Sequence, residues 1–185
     1  MNNIESLIFV TGLSGAGRST ALNVCDDRGF YALGELPVKL INDFVEFAET
    51  KPARFQRIAL IPDITEASIS ELVEINKTLR RRGIITGILF LDCSTDIIVR
   101  RYSETRRPHH GFDPSRDKTL TDAVARERKS YAELKEKAEF RIDTSNFSVH
   151  ELRRRVKKIL EQFENEPRAE LRLNFFSFGF KYGVP

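Results

Sequence analysis

Two cysteines in 185 residues are too few for a disulfide framework. Cys25 and Cys93 both fall in apolar segments, where packed thiols of a reducing compartment are expected. No apolar stretch reaches the length of a membrane span. The opening Met1-Asn2-Asn3-Ile4-Glu5-Ser6 lacks the basic region that starts a secretory signal. The expectation is a cytoplasmic protein with no membrane partner. Charge of one sign is also lacking. Lys and Arg total 30 against 27 Asp and Glu, a formal net charge of +3. That balance is too mild to imply nucleic acid by itself. His109, His110 and His150 have no metal-ligand partners at suitable spacing, so the protein side chains argue no metal centre. Internal repeats and low-complexity tracts are missing.

What is present is enough for one domain. Hydrophobic residues make up 41% of the chain, and charged residues, at 31%, give a well-solvated surface. The most informative segment is Gly12-Leu13-Ser14-Gly15-Ala16-Gly17-Arg18-Ser19-Thr20, directly after an apolar run. It matches G-x-x-x-x-G-K-[ST], with Arg18 in the lysine position. Glycines at 12, 15 and 17 allow positive φ, so backbone N–H groups can turn around an anion. A helix starting near Ser19 adds its N-terminal partial charge. Ser19 is placed to ligate Mg²⁺. The ligand implied is a nucleoside triphosphate, ATP or GTP. Arg18 keeps the charge, but its planar fork differs from a compact ammonium. Phosphate binding can survive that change while hydrolysis, which needs close placement, can be lost.

Short β-rich runs at 7–11, 30–33, 58–64, 85–92 and 140–143 alternate with helical patterns at 19–28, 37–49, 68–82, 95–104, 120–137 and 149–164. This alternation predicts an α/β fold of three layers, a P-loop NTPase of the kinase-like class. Its mostly parallel sheet is covered by helices on both faces. Ligands in such sheets bind beyond the carboxyl ends of the strands. That rule nominates Asp63-Ile64-Thr65-Glu66 beside the glycine loop. Asp63 reads equally well as a carboxylate holding Mg²⁺ through water or as a helix cap.

Residues 100–110 carry Arg100, Arg101, Arg106 and Arg107, and a loop with Gly111 and Pro114 follows. An arginine-rich segment and a mobile loop after a phosphate loop read as the lid of a small kinase-like enzyme. The alternative is a solvated basic helix end. The catalytic candidates are Arg18, Asp63, Arg106 and Arg107. A further run, Arg153-Arg154-Arg155-Val156-Lys157-Lys158, forms the polar side of an amphipathic helix. It reads as a plain solvated face or as a surface for nucleic-acid phosphates.

Together these segments resemble the RapZ/YvcJ-like P-loop nucleotide-binding proteins of bacteria, called RNase adapter proteins in one branch. The likeness runs from Leu7 to Pro185. It rests on Arg28-Gly29-Phe30-Tyr31-Ala32-Leu33, Leu36-Pro37, Leu89-Phe90-Leu91-Asp92, the run from Arg100 to His109, Asp143-Thr144-Ser145 and the ending Phe176 to Pro185. The resemblance implies ATP and GTP binding with slow hydrolysis. It places the phosphate loop on Gly12–Ser19 and a second nucleotide motif on Asp63, Ile64, Thr65 and Glu66. In the adapter branch it implies small regulatory RNA and an endoribonuclease as partners, mainly through a carboxyl-terminal domain. Residues 1–166 would form the nucleotide domain, and 167–185 a strand opening the next one. The aromatic tail fits a contact with that domain or with a second copy. The family has lysine at position 18, Asp-Asn where Gly34-Glu35 stand, and Arg-Asn where Thr65-Glu66 stand. These departures imply altered base preference, weakened hydrolysis or a site kept for structure. Three functions follow: a nucleotide-binding regulator, a small-molecule or nucleotide kinase, or an RNA-binding module with an inactive loop.

Overall fold

Every residue of β1 (Ser6–Gly12) is buried, because the strand lies between two neighbours and under helices. The computed structural model describes residues 4–51, 53–105, 109 and 111–165. β1 is joined by β2 (Tyr31–Pro37), β3 (Arg57–Asp63), β4 (Ile85–Asp92) and β5 (Phe140–Asp143). All pairings are parallel, in the order β2-β3-β1-β4-β5. Phe9 pairs with Leu60 on one side and with Ile88 on the other.

Seven α-helices accompany the sheet among the described residues. They are α1 (Arg18–Asp27), α2 (Ile41–Glu49), α3 (Ile69–Arg81), α4 (Thr95–Thr105), α5 (Leu120–Ser130), α6 (Ala132–Lys137) and α7 (Val149–Glu164). The chain steps one way from β1 to β2 and the opposite way from β3 to β4. Right-handed crossovers therefore put α1 and α3 on opposite faces. α7 joins α1, and α6 joins α3. The core is one cluster spanning both faces, with Phe9, Leu60, Phe90 and Phe163 fully buried. The reversal of direction leaves a crevice at the carboxyl end of β1, where the glycine loop lies.

Three boundaries differ from those the sequence suggests. β2 does not stop at residue 33. It bulges at Gly34-Glu35 and resumes pairing at Leu36 and Pro37 with Pro62 and Asp63. Glu35 takes a φ of 50° to make the bulge. Because β2 is an edge strand, Pro37 costs no ladder bond on its open side. The helix expected from residue 37 accordingly starts as a 3-10 turn, Val38–Leu40, and becomes α2 at Ile41. The single helix expected over 120–137 is two, broken at Tyr131. The strand expected within 167–185 and the domain boundary at 166 lie outside the described residues.

Candidate functional site

Between β1 and α1 the chain makes a loop that is fixed from two sides. Gly12 has a φ of 125°, and a Cβ there would meet the Leu91 carbonyl oxygen of β4 at 2.1 Å. Backbone cannot yield as a side chain would, so only glycine fits. The Leu13 N–H donates to that same carbonyl at 3.0 Å. On the other side, Arg101 Nη1 of α4 donates to Gly15 O at 2.9 Å and Nη2 donates to Thr144 O at 3.0 Å. Thr144 Oγ1, after β5, donates to Ala16 O at 2.9 Å. A trans peptide points its N–H opposite to its carbonyl. Holding the Ala16 carbonyl therefore turns the Gly17 N–H the other way.

α1 begins without a side-chain cap and without an acidic residue in its first turn. α5 and α7 both start with capping boxes, Thr119 with Asp122 and Ser148 with Glu151. The first intrahelical bond of α1 runs from Ala21 N–H to Gly17 O at 3.0 Å. The N–H groups of Arg18, Ser19 and Thr20 therefore have no helical acceptor. All three residues line a cavity of about 590 Å³. Its apolar lining is Tyr102, Phe147, Val149 and Leu152; Glu35, Arg101, Thr144 and Ser148 add polar groups. The size and the mixture suit a small ligand with one anionic end and one flat apolar end.

The structure adds a residue the sequence reading did not single out. Glu127 of α5 reaches the loop, accepting from Ser14 N–H at 3.0 Å and from Ser14 Oγ at 2.8 Å. His109 Nε2 lies 3.6 Å from its Oε2. Burial would raise the Glu127 pKa, but the neighbouring His109 and the Ser14 donors outweigh it and hold the carboxyl below its usual range. The flanking residues face elsewhere. Arg126 ion-pairs with the buried Asp117 and donates to Gly111 O. Arg128 and Lys135 bond Asp92 at 2.7 and 2.6 Å. Burial alone would raise the Asp92 pKa, but these donors, with the Cys93 N–H, hold it low.

The nominated residues separate into two places. Gly15, Gly17, Arg18, Ser19 and Thr20 line the cavity, while Gly12, Leu13, Ser14 and Ala16 are the buried frame of the loop. Asp63 ends β3, exposed, and pairs with Pro37 of β2. Ile64 O accepts from Tyr131 Oη at 3.3 Å. Thr65 and Ser68 cap the 3-10 turn Glu66–Ser68. None of Asp63 to Glu66 is among the residues lining the cavity. Arg101 is engaged with the loop's own backbone, and the exposed Arg100 lies beside Glu104 at 3.9 Å. Arg106 and Arg107 lie outside the described residues.

A family model described as the RapZ-like N-terminal domain matches residues 5–164. The chain belongs to this family. It is 37% identical over 180 residues to a protein of Arthrobacter sp. (strain FB24) described as a nucleotide-binding protein, covering 97% of this chain and 57% of that one. A protein of Myxococcus xanthus (strain DK1622) with the same description is 37% identical over 182 residues, covering 98% of this chain and 61% of that one. The chain thus spans about three-fifths of the length of these relatives. Shikimate kinase from Bacteroides thetaiotaomicron superposes with a TM-score of 0.53 at 13% identity, covering 84% of this chain and 98% of that one. At that identity the likeness shows the fold alone, the P-loop kinase class. In this RapZ-like domain Glu35 holds a left-handed conformation that asparagine tolerates better.

Proposed function

We propose that this domain binds a purine nucleotide, adenine or guanine, and acts as a regulatory switch. The polyphosphate lies on the loop Gly12–Thr20, and the base packs against Phe147, Val149 and Leu152. The observation that carries this reading is the uncapped start of α1. Its first N–H groups lack a helical acceptor and a side-chain cap among the described residues, and Arg18, Ser19 and Thr20 line the cavity, a combination that calls for an anion. The nucleotide-binding description of the relatives agrees with it.

Mg²⁺ fits the reading as a companion of the phosphates. It usually keeps one or two protein ligands and takes the rest from phosphate and water. Ser19, exposed in the cavity, is suited to be one of them. Asp63 would act only from outside the lining, through water.

Regulation is favoured over phosphoryl transfer by Glu127. A kinase needs a base beside its acceptor hydroxyl. Glu127 is instead committed to the loop and kept a weak base. Hydrolysis would then be slow. The exposed Arg154, Lys157 and Lys158 of α7 border a shallow depression with His150. They are the described surface that fits the RNA-linked role implied by the resemblance, in which a small regulatory RNA and an endoribonuclease read the nucleotide state.

The test is calorimetric titration of the chain with Mg²⁺ and adenine or guanine nucleotides, beside Arg18→Ala. Saturable binding that the substitution weakens roughly tenfold or more supports the reading, as loss of a charge-assisted contact would. No binding by a folded protein overturns it.

A further inference from the structure

Ser14 is the third residue of the phosphate loop, and both of its donors are already used. Its N–H and hydroxyl each bond one oxygen of Glu127. Arg18 Nη2 lies 3.4 Å from that hydroxyl. In a loop of this pattern the backbone cradles the inner phosphates, and the cation at the Arg18 position reaches the β- and γ-phosphates. The tip of Arg18 therefore marks the γ end of the tract. We infer that the Glu127 carboxylate occupies the place of a γ-phosphate, so that the site as built selects a nucleoside diphosphate over a triphosphate. This rests on the reading above, that a nucleotide binds in this loop.

The surroundings fix the carboxylate there. Its side chain is only 11% exposed, so little water screens it from a second anion. His109 is buried beside it, with a side chain 1% exposed. Its Nδ1 accepts from the Gly111 N–H at 3.1 Å, so the ring proton is on Nε2. Among the described residues Nε2 has no hydrogen-bond partner, and it lies 3.6 Å from Glu127 Oε2. That separation is too long for a hydrogen bond, but it sets an N–H dipole beside the carboxylate. The Ser14 N–H and hydroxyl proton cannot serve Glu127 and a phosphate oxygen at once. A γ-phosphate must therefore displace Glu127 from Ser14, whereas a β-phosphate on the α1 N–H groups need not.

The experiment compares, in Mg²⁺, the diphosphate with the β,γ-imido triphosphate analogue of the same base, on the wild-type chain and on Glu127→Gln. The wild type is expected to bind the diphosphate at least tenfold more tightly, and Glu127→Gln to narrow that ratio at least fivefold. Melting curves check that the variant folds. Should it not fold, Ser14→Ala, which frees one carboxylate oxygen, is expected to narrow the ratio in the same direction. Equal or tighter binding of the triphosphate by the wild type overturns the inference and leaves nucleotide binding intact. So does a ratio unchanged in a folded variant. Binding of neither nucleotide by the wild type overturns the underlying reading and this inference with it.

Discussion

Arg101 Nη1 lies 2.9 Å from the carbonyl oxygen of Gly15, so a guanidinium from α4 is built into the back of the phosphate loop. Its other nitrogen holds Thr144, whose hydroxyl holds Ala16. Strand β5, helix α4 and the loop are thus locked by one forked side chain. Arg101→Lys keeps the charge and loses the fork. The expected result is a loss of about 1.5–3 kcal/mol in unfolding free energy, the scale of a charged hydrogen bond. Nucleotide affinity is expected to fall by roughly tenfold as the loop loosens, the equivalent of about 1.4 kcal/mol. Denaturant unfolding and calorimetry read the two effects.

Glycine positions make a sharper contrast. A Cβ at Gly12 would lie 2.1 Å from backbone, while a Cβ at Gly34 would meet nothing within 4 Å. Gly12→Ala is expected to cost more than about 4 kcal/mol or prevent folding. Gly34→Ala is expected to change stability by less than about 0.5 kcal/mol. Paired thermal melts of the two variants decide it.

Asp117 is held down to about 2 from its ordinary value of 3.8, first of all by the hydrogen bond from Arg126. A depressed pKa contributes stability that is complete above the unfolded value and disappears as pH falls through the folded one. Asp117→Asn should therefore be less stable than the wild type near pH 6. The gap should close between about pH 4 and pH 2. Urea midpoints at several pH values measure it, and a gap that persists at the acid end would contradict the assignment.

Burial pushes the Cys25 thiol up to about 12. Only the thiolate reacts readily. The folded protein should resist alkylation at Cys25, and labelling should appear only as denaturant unfolds the chain. Mass spectrometry of peptides alkylated with and without denaturant reads this directly.

Much of the fold is legible in the sequence because its signals are local. The apolar run before Gly12 and the helical pattern after it place β1, the loop and α1 together. Leu152, Val156, Ile159 and Phe163 recur at helical spacing and are all buried in α7. The continuation of β2 past Gly34 is not legible, because a bulge borrows residues that otherwise signal a turn. The break at Tyr131 has no local marker either, since the residues on both sides favour helix. The contact found there is tertiary: the Tyr131 hydroxyl reaches the Ile64 carbonyl at 3.3 Å.

Glu127 is the instructive omission. No motif contains it, and its partner Ser14 lies 113 residues away. One signal was available. Ala123, Glu127 and Tyr131 recur four apart, so the carboxylate falls on the apolar stripe of a helix otherwise edged with basic residues. A lone charge on a buried face needs a partner, and here the partner is the phosphate loop.

The measurement that tests the account most directly is a backbone amide NMR titration of the whole chain with Mg²⁺ and a nucleoside diphosphate. The account predicts saturable shifts concentrated at Gly15–Thr20 and at Phe147–Val149, where loop and apolar wall share one cavity. Saturable shifts centred elsewhere, with the loop resonances unmoved, would contradict it.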